Sequence, residues 1–410
     1  MSCPLPAYQH KVREIRQPPG DYQAGHMKIL NVNHLLDPES GGGTAERTVQ
    51  LSRSLAAEGA EVEILALDIG VTAARRAALA GIRITAVPCA NRRYFVPRFP
   101  WPEVEAAVAR ADVVQLSGHW TLLNVLVTNA CRRLGKPYVF CPAGALRVVG
   151  RSQWLKRLYD AASGKGIARG AGACVAITSD EQSDFRSYGV PAEKIEVISN
   201  GIDPSEYEKP DEPGNDLAVR ARFGVGAAPF VLFLGRLNWI KGPDLLLEAY
   251  CRVAATSPDV HLVLAGPDGG MLTQLQDVAA ASGFSERIHF PGYLAGDEKR
   301  VALRQAALLA IPSRREAMSI VVLEAGIVGT PVLFTDTCGL ADFASADAGT
   351  KVPATVDGLE QGLRTLLADP ERAGTGAVRL QQRVQSGYLW SHQARRYLAL
   401  YERLLSGPKL

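Results

Sequence analysis

Short apolar runs alternate with stretches of helical periodicity along most of the chain. Lys28–Asn33 (KILNVN) and Glu61–Leu67 (EVEILAL) have the length and apolar content of strands. Between them, Val49, Leu51 and Leu55 recur at helical spacing within Thr44–Glu58, and Gly59 supplies a stop. Strand, helix and strand in so short a span make a βαβ unit and therefore a parallel sheet. The alternation continues through strands expected at Ile82–Val87, Val113–Leu116, Tyr138–Phe140, Ala173–Ile177 and Ile195–Ile198. A polar, proline-rich stretch, PSEYEKPDEPGN at 204–215, then interrupts it and reads as a linker. A second alternation places strands at Phe230–Leu234, His261–Ala265, Ile288–Phe290, Leu308–Ile311 and Val332–Thr335. Helices are expected between and after them at Pro243–Thr256, Met271–Ser282, Lys299–Ala306, Ser319–Val328 and Leu359–Leu367. Residues 391–410 form one amphipathic helix with Leu398, Tyr401 and Leu405 on one face.

The pattern predicts an α/β protein with two doubly wound domains of similar size, 27–203 and 216–390, joined by 204–215. Residues 1–26 would precede the first domain as an extension, and 391–410 would follow the second. Met27 directly precedes the first strand, so translation from Met27 is an alternative to Met1. Ligands of such sheets bind beyond the carboxyl ends of the strands, which points to the cleft between the domains.

Composition narrows the classes. The chain has 410 residues, 47% of them hydrophobic, and a net charge of +3. That balance is too mild for a nucleic-acid binder, which would carry a basic stripe and a much higher pI. No run of about 18 apolar residues predicts a membrane span. The seven cysteines are odd in number, scattered and without a C-x-x-C pair, so they read as reduced residues of a cytoplasmic protein and offer no zinc spacing. Residues 1–26 contain no apolar core of a secretory signal.

Five constellations carry candidate chemistry. Gly41-Gly42-Gly43 follows the first strand and precedes a helix. Glycines there let backbone N–H groups approach an anion at a helix N-terminus, although the same residues would serve a plain flexible turn. FLGRLNWIKGPD (233–244) sets Arg236 and Lys241 just after a strand, where a planar fork and a point charge can clamp a diphosphate. Glu316 and Glu324 lie eight residues apart around an apolar helix start that Ser319 would cap. One acid can bond sugar hydroxyls and the other a ribose diol, while the free N–H groups at Ser319 and Ile320 face a diphosphate. A carboxylate in a stretch as apolar as SIVVLEAGIVG also needs a polar partner. His119, at the end of a first-domain strand, is expected to point into the cleft; a core imidazole is the alternative. Finally, NRRYFVPRFPW (91–101) and RVVGRSQWLKRLY (147–159) interleave cations with aromatics. They suit an acidic or phosphorylated acceptor or an anionic membrane surface, or are ordinary snorkelling side chains.

Together these segments resemble the retaining glycosyltransferases of the GT-B fold, glycosyltransferase family four (glycosyl transferases group 1). GRLNWIKGPDLLLEAY (235–250), the paired acids Glu316 and Glu324, and AGIVGTPVLFTD (325–336) carry most of the resemblance; GGGTAERTVQLSRSLAAEGAEVEIL (41–65), ISNGID (198–203) and LVLAGPDGG (262–270) add to it. It implies two Rossmann-like domains facing a cleft, with the last helix crossing back to the first. It implies a nucleotide-diphosphate sugar as donor substrate, a glycan or lipid-linked acceptor, and neither metal nor other cofactor. Arg236 and Lys241 would hold the donor diphosphate, Glu316 the sugar hydroxyls and Glu324 the ribose. Gly42 and Gly43 would lie beside the phosphates, His119 near the reacting sugar, and Gly292 and Tyr293 at the base. Cell-envelope or exopolysaccharide assembly, with peripheral contact at the inner face of an anionic membrane, is the implied setting. Where the family often has Gly-Phe-Gly between its acids, this chain has Ala317-Met318-Ser319. A nucleotide-sugar 2-epimerase, a glycosyl phosphorylase and an inactive sugar-nucleotide-binding protein are the alternatives on the same fold.

Overall fold

The computed structural model describes residues 27–98, 101–148, 152–209, 214–256 and 259–407. The expected extension, 1–26, lies outside them. Strands β1 (Lys28–Val32), β2 (Glu61–Leu67), β3 (Arg83–Val87), β4 (Cys89–Asn91), β5 (Val96–Pro97), β6 (Val113–Ser117), β7 (Tyr138–Cys141), β8 (Ala173–Ala176) and β9 (Ile195–Val197) belong to the first lobe. The second has β10 (Phe230–Leu234), β11 (His261–Ala265), β12 (Ile288–Gly292), β13 (Leu308–Ile311), β14 (Val332–Thr335) and β15 (Thr350–Val352).

The first sheet runs β3-β2-β1-β6-β7-β8-β9 and the second β12-β11-β10-β13-β14-β15, with all pairings parallel; β4 and β5 form a separate antiparallel ribbon. Both are doubly wound, and in each the strand order reverses beside the first strand, between β1 and β6 and between β10 and β13. Helices cover both faces of a parallel sheet, so its strands are apolar without alternation. All five residues of β6 (VVQLS) and all four of β13 (LLAI) are buried. The consequence for function is geometric. The two reversal points open crevices at the carboxyl ends of β1, β6, β10 and β13.

The final helix, Trp390–Ser406, lies against the first helix, Pro38–Ala57, and so crosses to the first lobe. Polar anchors fix it there. The buried Arg47 guanidinium donates to the Tyr397 hydroxyl and, from Nε at 3.0 Å, to Asn200 Oδ1; the Tyr401 hydroxyl donates to Gln115 Oε1 at 3.0 Å. Where the chain enters and leaves the second lobe, the two passages pair: Ile202 N donates to Tyr388 O at 2.8 Å and Trp390 N to Ile202 O at 3.0 Å.

Several expectations are corrected. Gly42 (φ 54°, ψ −143°) is non-helical and breaks the element Pro38–Ala57, so a short helical segment that was not expected precedes the glycine turn and the expected helix follows it. Leu405 is 41% exposed, and it is Leu404 that packs near Gly172. Strand β15 and the long helix Pro370–Gly387 were not expected from the pattern. Of the expected linker, Pro204–Glu206 form a 3₁₀ turn, the helix Asn215–Phe223 takes its last residue, and 210–213 lie outside the described residues.

Candidate active site

The second reversal point gathers most of the candidates. Beyond β10 the turn carrying Arg236 and Lys241 is closed by Asn238, whose Oδ1 accepts from Lys241 N at 3.0 Å. Arg236 is half-buried and packs beside Gly269, where a Cβ would meet its Cγ at 2.8 Å. Beyond β13, Glu316 is held by its backbone N–H to Thr337 O (2.9 Å) and by Ser313 Oγ, which donates to Glu316 Oε2 at 3.0 Å. This leaves Oε1 for Lys241 Nζ, 2.5 Å away. Arg236 and Lys241 thus arrive from one strand end, Glu316 from its neighbour, and Lys241 and Glu316 meet in an ion pair.

Glu324 lies one turn into the helix Ile320–Val328 and is 6% exposed. The partner that a buried carboxylate requires is Lys299, whose Nζ donates to Glu324 Oε1 at 2.6 Å. Burial pulls the Lys299 ammonium down, but the Glu324 charge outweighs it and holds it above its ordinary value. Glu324 Oε2 is buried without a hydrogen-bond partner among the described residues. It borders a cavity of about 330 Å³ lined by Glu46, Arg47, Tyr293, Lys299, Ile320 and Glu324, so both lobes contribute to it. Lys299 escaped the sequence reading. The available signal was the stranded acid itself, which demanded a cation without saying from where.

Ser319 takes the N-cap position but its side chain makes no capping bond, contrary to expectation; at φ −74° and ψ 119° it is extended and buried. The N-terminal N–H groups of this helix are therefore not consumed by the Ser319 hydroxyl. Ile320 reaches across the lobes: a Cβ on Gly43 would lie 3.5 Å from its Cδ1. Gly43 thus faces the start of the Ile320–Val328 helix, whereas a Cβ on Gly42 would have nothing within 4 Å. Gly292 (φ 82°) turns the chain at the end of β12, and Tyr293 is 42% exposed on the cavity wall.

His119 does not point into the cleft. Its side chain is 0% exposed and lies among Trp120, Phe140, Tyr159 and Tyr188. Positive φ at Gly118 (73°) and Trp120 (51°) turns the chain after β6, and Asn124 Nδ2 donates to Gly118 O at 3.1 Å to lock that turn. The ring is thereby directed at Asp160, whose Oδ1 is 2.8 Å from His119 Nε2 and accepts from Trp120 Nε1 at 3.1 Å; Oδ2 accepts from the Tyr188 hydroxyl at 2.6 Å. Burial raises the Asp160 carboxyl, but the hydrogen bonds, His119 first, outweigh burial and hold it below the ordinary carboxylate value. Nothing in the sequence marked Asp160, because its partners lie 28 to 41 residues away along the chain.

Of the basic–aromatic stretches, the helix Gln153–Tyr159 exposes Trp154 (67%) and Leu158 (59%), and Tyr94 is exposed in the β4–β5 ribbon. Residues 99, 100 and 149–151 lie outside the described residues.

Two doubly wound lobes with their reversal points turned to one cleft, and with paired cations and acids at the second, define the GT-B class of glycosyltransferase. The profile of the glycosyl transferases group 1 matches residues 220–377, and that of the glycosyl transferase 4-like domain matches 42–201. The chain belongs to this family. It is similar to the D-inositol 3-phosphate glycosyltransferase of Frankia alni, 28% identical over 92% of this chain and 98% of that protein. Its match to the Nocardia farcinica enzyme of the same name is 32% identical but spans only 59% of this chain and 54% of that protein. Among solved structures, Anabaena HepE in complex with UDP and glucose superposes with a TM-score of 0.77 at 20% identity, covering 92% of this chain and all of that one. Sucrose-phosphate synthase of Thermosynechococcus elongatus superposes at 0.74 and 20% identity, covering 93% and 99%. At these identities the structural likeness concerns the fold.

Proposed function

We propose that the chain transfers a hexose-type sugar, with retention and without a metal, from a nucleotide-diphosphate sugar to a hydroxyl of a glycan or lipid-linked acceptor. One observation carries this: the ion pairs Lys241–Glu316 and Lys299–Glu324 flank the start of one helix, opposite the glycine turn of the other lobe. The diphosphate sits at that helix start with Arg236 and Lys241 on it. Glu316 bonds the sugar hydroxyls, and the unpaired Glu324 oxygen accepts from the ribose. Gly292 and Tyr293 border the base. As the bond between C1 and the diphosphate oxygen breaks, Arg236 and Lys241 stabilise the charge that collects on the leaving group. The acceptor oxygen bonds to C1 from the same face, and its proton passes to a phosphate oxygen. UDP, present in the HepE complex, is the first nucleotide to try.

The test is a thermal-shift series with UDP, GDP, ADP, TDP and CMP in EDTA, since a ligand of the native state raises its apparent stability. One diphosphate is expected to raise Tm, UDP foremost, and the Arg236→Ala/Lys241→Ala variant to lose the shift. A wild type that responds to none of them sinks the reading.

The exposed Trp154 and Leu158 beside Lys156 and Arg157 favour a setting at the inner face of an anionic membrane. No helix among the described residues is long and apolar enough to cross a membrane. Flotation with phosphatidylglycerol vesicles is expected at low salt, and to fall in Trp154→Ala/Leu158→Ala. Equal flotation of that variant at all salt concentrations would remove this surface from the account.

A further inference from the structure

The cavity of about 330 Å³ beside Glu324 is lined not only by the two lobes but also by the segment that joins them, through Tyr207. Tyr207 directly follows the 3₁₀ turn Pro204–Glu206. Its backbone is held from both sides: Tyr207 N donates to Pro204 O at 2.8 Å, and Arg304 Nη2 donates to Tyr207 O at 3.4 Å. The ring is half-buried and packs against the hydrophobic core. A phenylalanine would fill that place equally well, so packing does not account for the hydroxyl.

The hydroxyl stands at the carboxylate of Glu324. Burial first, and then the Glu324 charge, hold the Tyr207 phenol well above its ordinary value; Glu46 and Glu206 push the same way. Tyr207 is therefore a neutral phenol at working pH, able both to donate and to accept. Glu324, once ionised, only accepts. One of its oxygens is taken by Lys299, and the other, Oε2, has no hydrogen-bond partner among the described residues. A ribose presents two adjacent hydroxyls, and the free Glu324 oxygen satisfies one of them. The second needs another partner in the same cavity. The remaining acids of that wall nearest Tyr207 are engaged: Glu206 accepts from Arg53 Nη1 at 3.0 Å, and Glu46 accepts from Gln50 Nε2 at 2.8 Å and pairs with Arg75 at 3.6 Å. Tyr207 is the group left to meet it.

We infer that Tyr207 is a specificity residue for the donor: Glu324 takes one hydroxyl of the ribose diol and Tyr207 the other, so the site admits ribonucleoside diphosphate sugars and rejects their deoxyribose counterparts. This rests on the nucleotide-sugar reading above. A site built to bond a hydroxyl discriminates against the analogue that lacks it, because buried polar groups are then left unpaired. Tyr207 reads the ribose from the joining segment, whereas Glu324 reads it from the second lobe, so one sugar ring ties the two together.

The test is calorimetric titration of the full chain with UDP, GDP and ADP, and with the 2′-deoxy and 3′-deoxy counterparts of whichever binds. Wild type is expected to prefer the ribonucleotide about tenfold or more over at least one deoxy analogue. Tyr207→Phe keeps the ring and the unliganded Tm. It is expected to weaken the ribonucleotide by roughly three- to tenfold and to leave that analogue within about twofold, so the preference collapses. A purely structural hydroxyl would weaken all the nucleotides alike and keep their ratio. That result, an unchanged ribonucleotide affinity in Tyr207→Phe, or a wild type that binds ribo- and deoxyribonucleotides equally would overturn the inference while the donor reading stands. A wild type that binds none of the diphosphates would overturn the donor reading and this inference with it.

Discussion

Lys241→Ala lowers kcat by roughly 100- to 1000-fold, the range for removing one group that stabilises transition-state charge. Two effects combine. The diphosphate loses a cation, and Glu316, freed of Lys241 but still bonded to Ser313, presents its charge to the phosphates. Glu316→Gln removes that charge while keeping the shape, so the double variant should be less impaired than the product of the two single effects, as expected of a contacting pair. Lys241 is 31% exposed and the turn around it is closed by backbone bonds, so the fold should survive; unchanged Tm checks this. Steady-state kinetics with a saturating donor decide the matter. A kcat within twofold of wild type would remove Lys241 from the mechanism.

The second large effect is on stability. Asp160→Ala strands the Nε2 of His119 and the indole N–H of Trp120 around a hole in the first lobe and leaves the Tyr188 hydroxyl only Leu146 O. Breaking a buried charged network in this way costs on the order of 3–5 kcal/mol. That corresponds to a drop in the first-lobe transition of roughly 10 °C. The pH dependence has a definite sign. A carboxylate held below its unfolded value stabilises the native state above an unfolded pKa of about 3.9, and that contribution is lost as pH falls through the lower folded value. The Tm gap between wild type and Asp160→Asn should therefore be full at neutral pH and close in acid. A gap that does not change with pH would mean that the carboxylate charge plays no part.

Much of this was legible in the sequence because it is local. Apolar runs of four to seven residues, each followed by a helical pattern, are what a covered parallel sheet requires, and the acids at 316 and 324 sit one on the turn and one on the helix that their spacing predicts. What was not legible depends on pairs distant in the chain. Lys299 meets Glu324 because the helix Gly296–Gln305 packs against the helix Ile320–Val328; nothing local marks it. His119 looked like a cleft residue because it follows a strand end, yet Gly118 and Trp120 with positive φ turn it inward to Asp160. Ser319 stands where a cap should, with the extended backbone that Thr121 and Thr355 also have at their helix starts, yet unlike them it makes no capping bond. Chemistry was readable where the backbone alone positions the group, and unreadable where the orientation comes from a tertiary partner.

The paired passages at Ile202 and Leu389 have a mechanical meaning. A molecule whose two halves are joined by separate strands can twist and shear in several directions. Here the outgoing and returning strands are stitched side by side, and Trp390 packs so closely on Gly201 that a Cβ there would lie 2.8 Å from its Cα. The stitched pair works as a single pivot. The seventeen residues Trp390–Ser406, although they follow the second lobe in the chain, ride with the first as ballast. A rotation about this pivot would move Ile320 and Ala317 relative to Gly43 and Gly144 together.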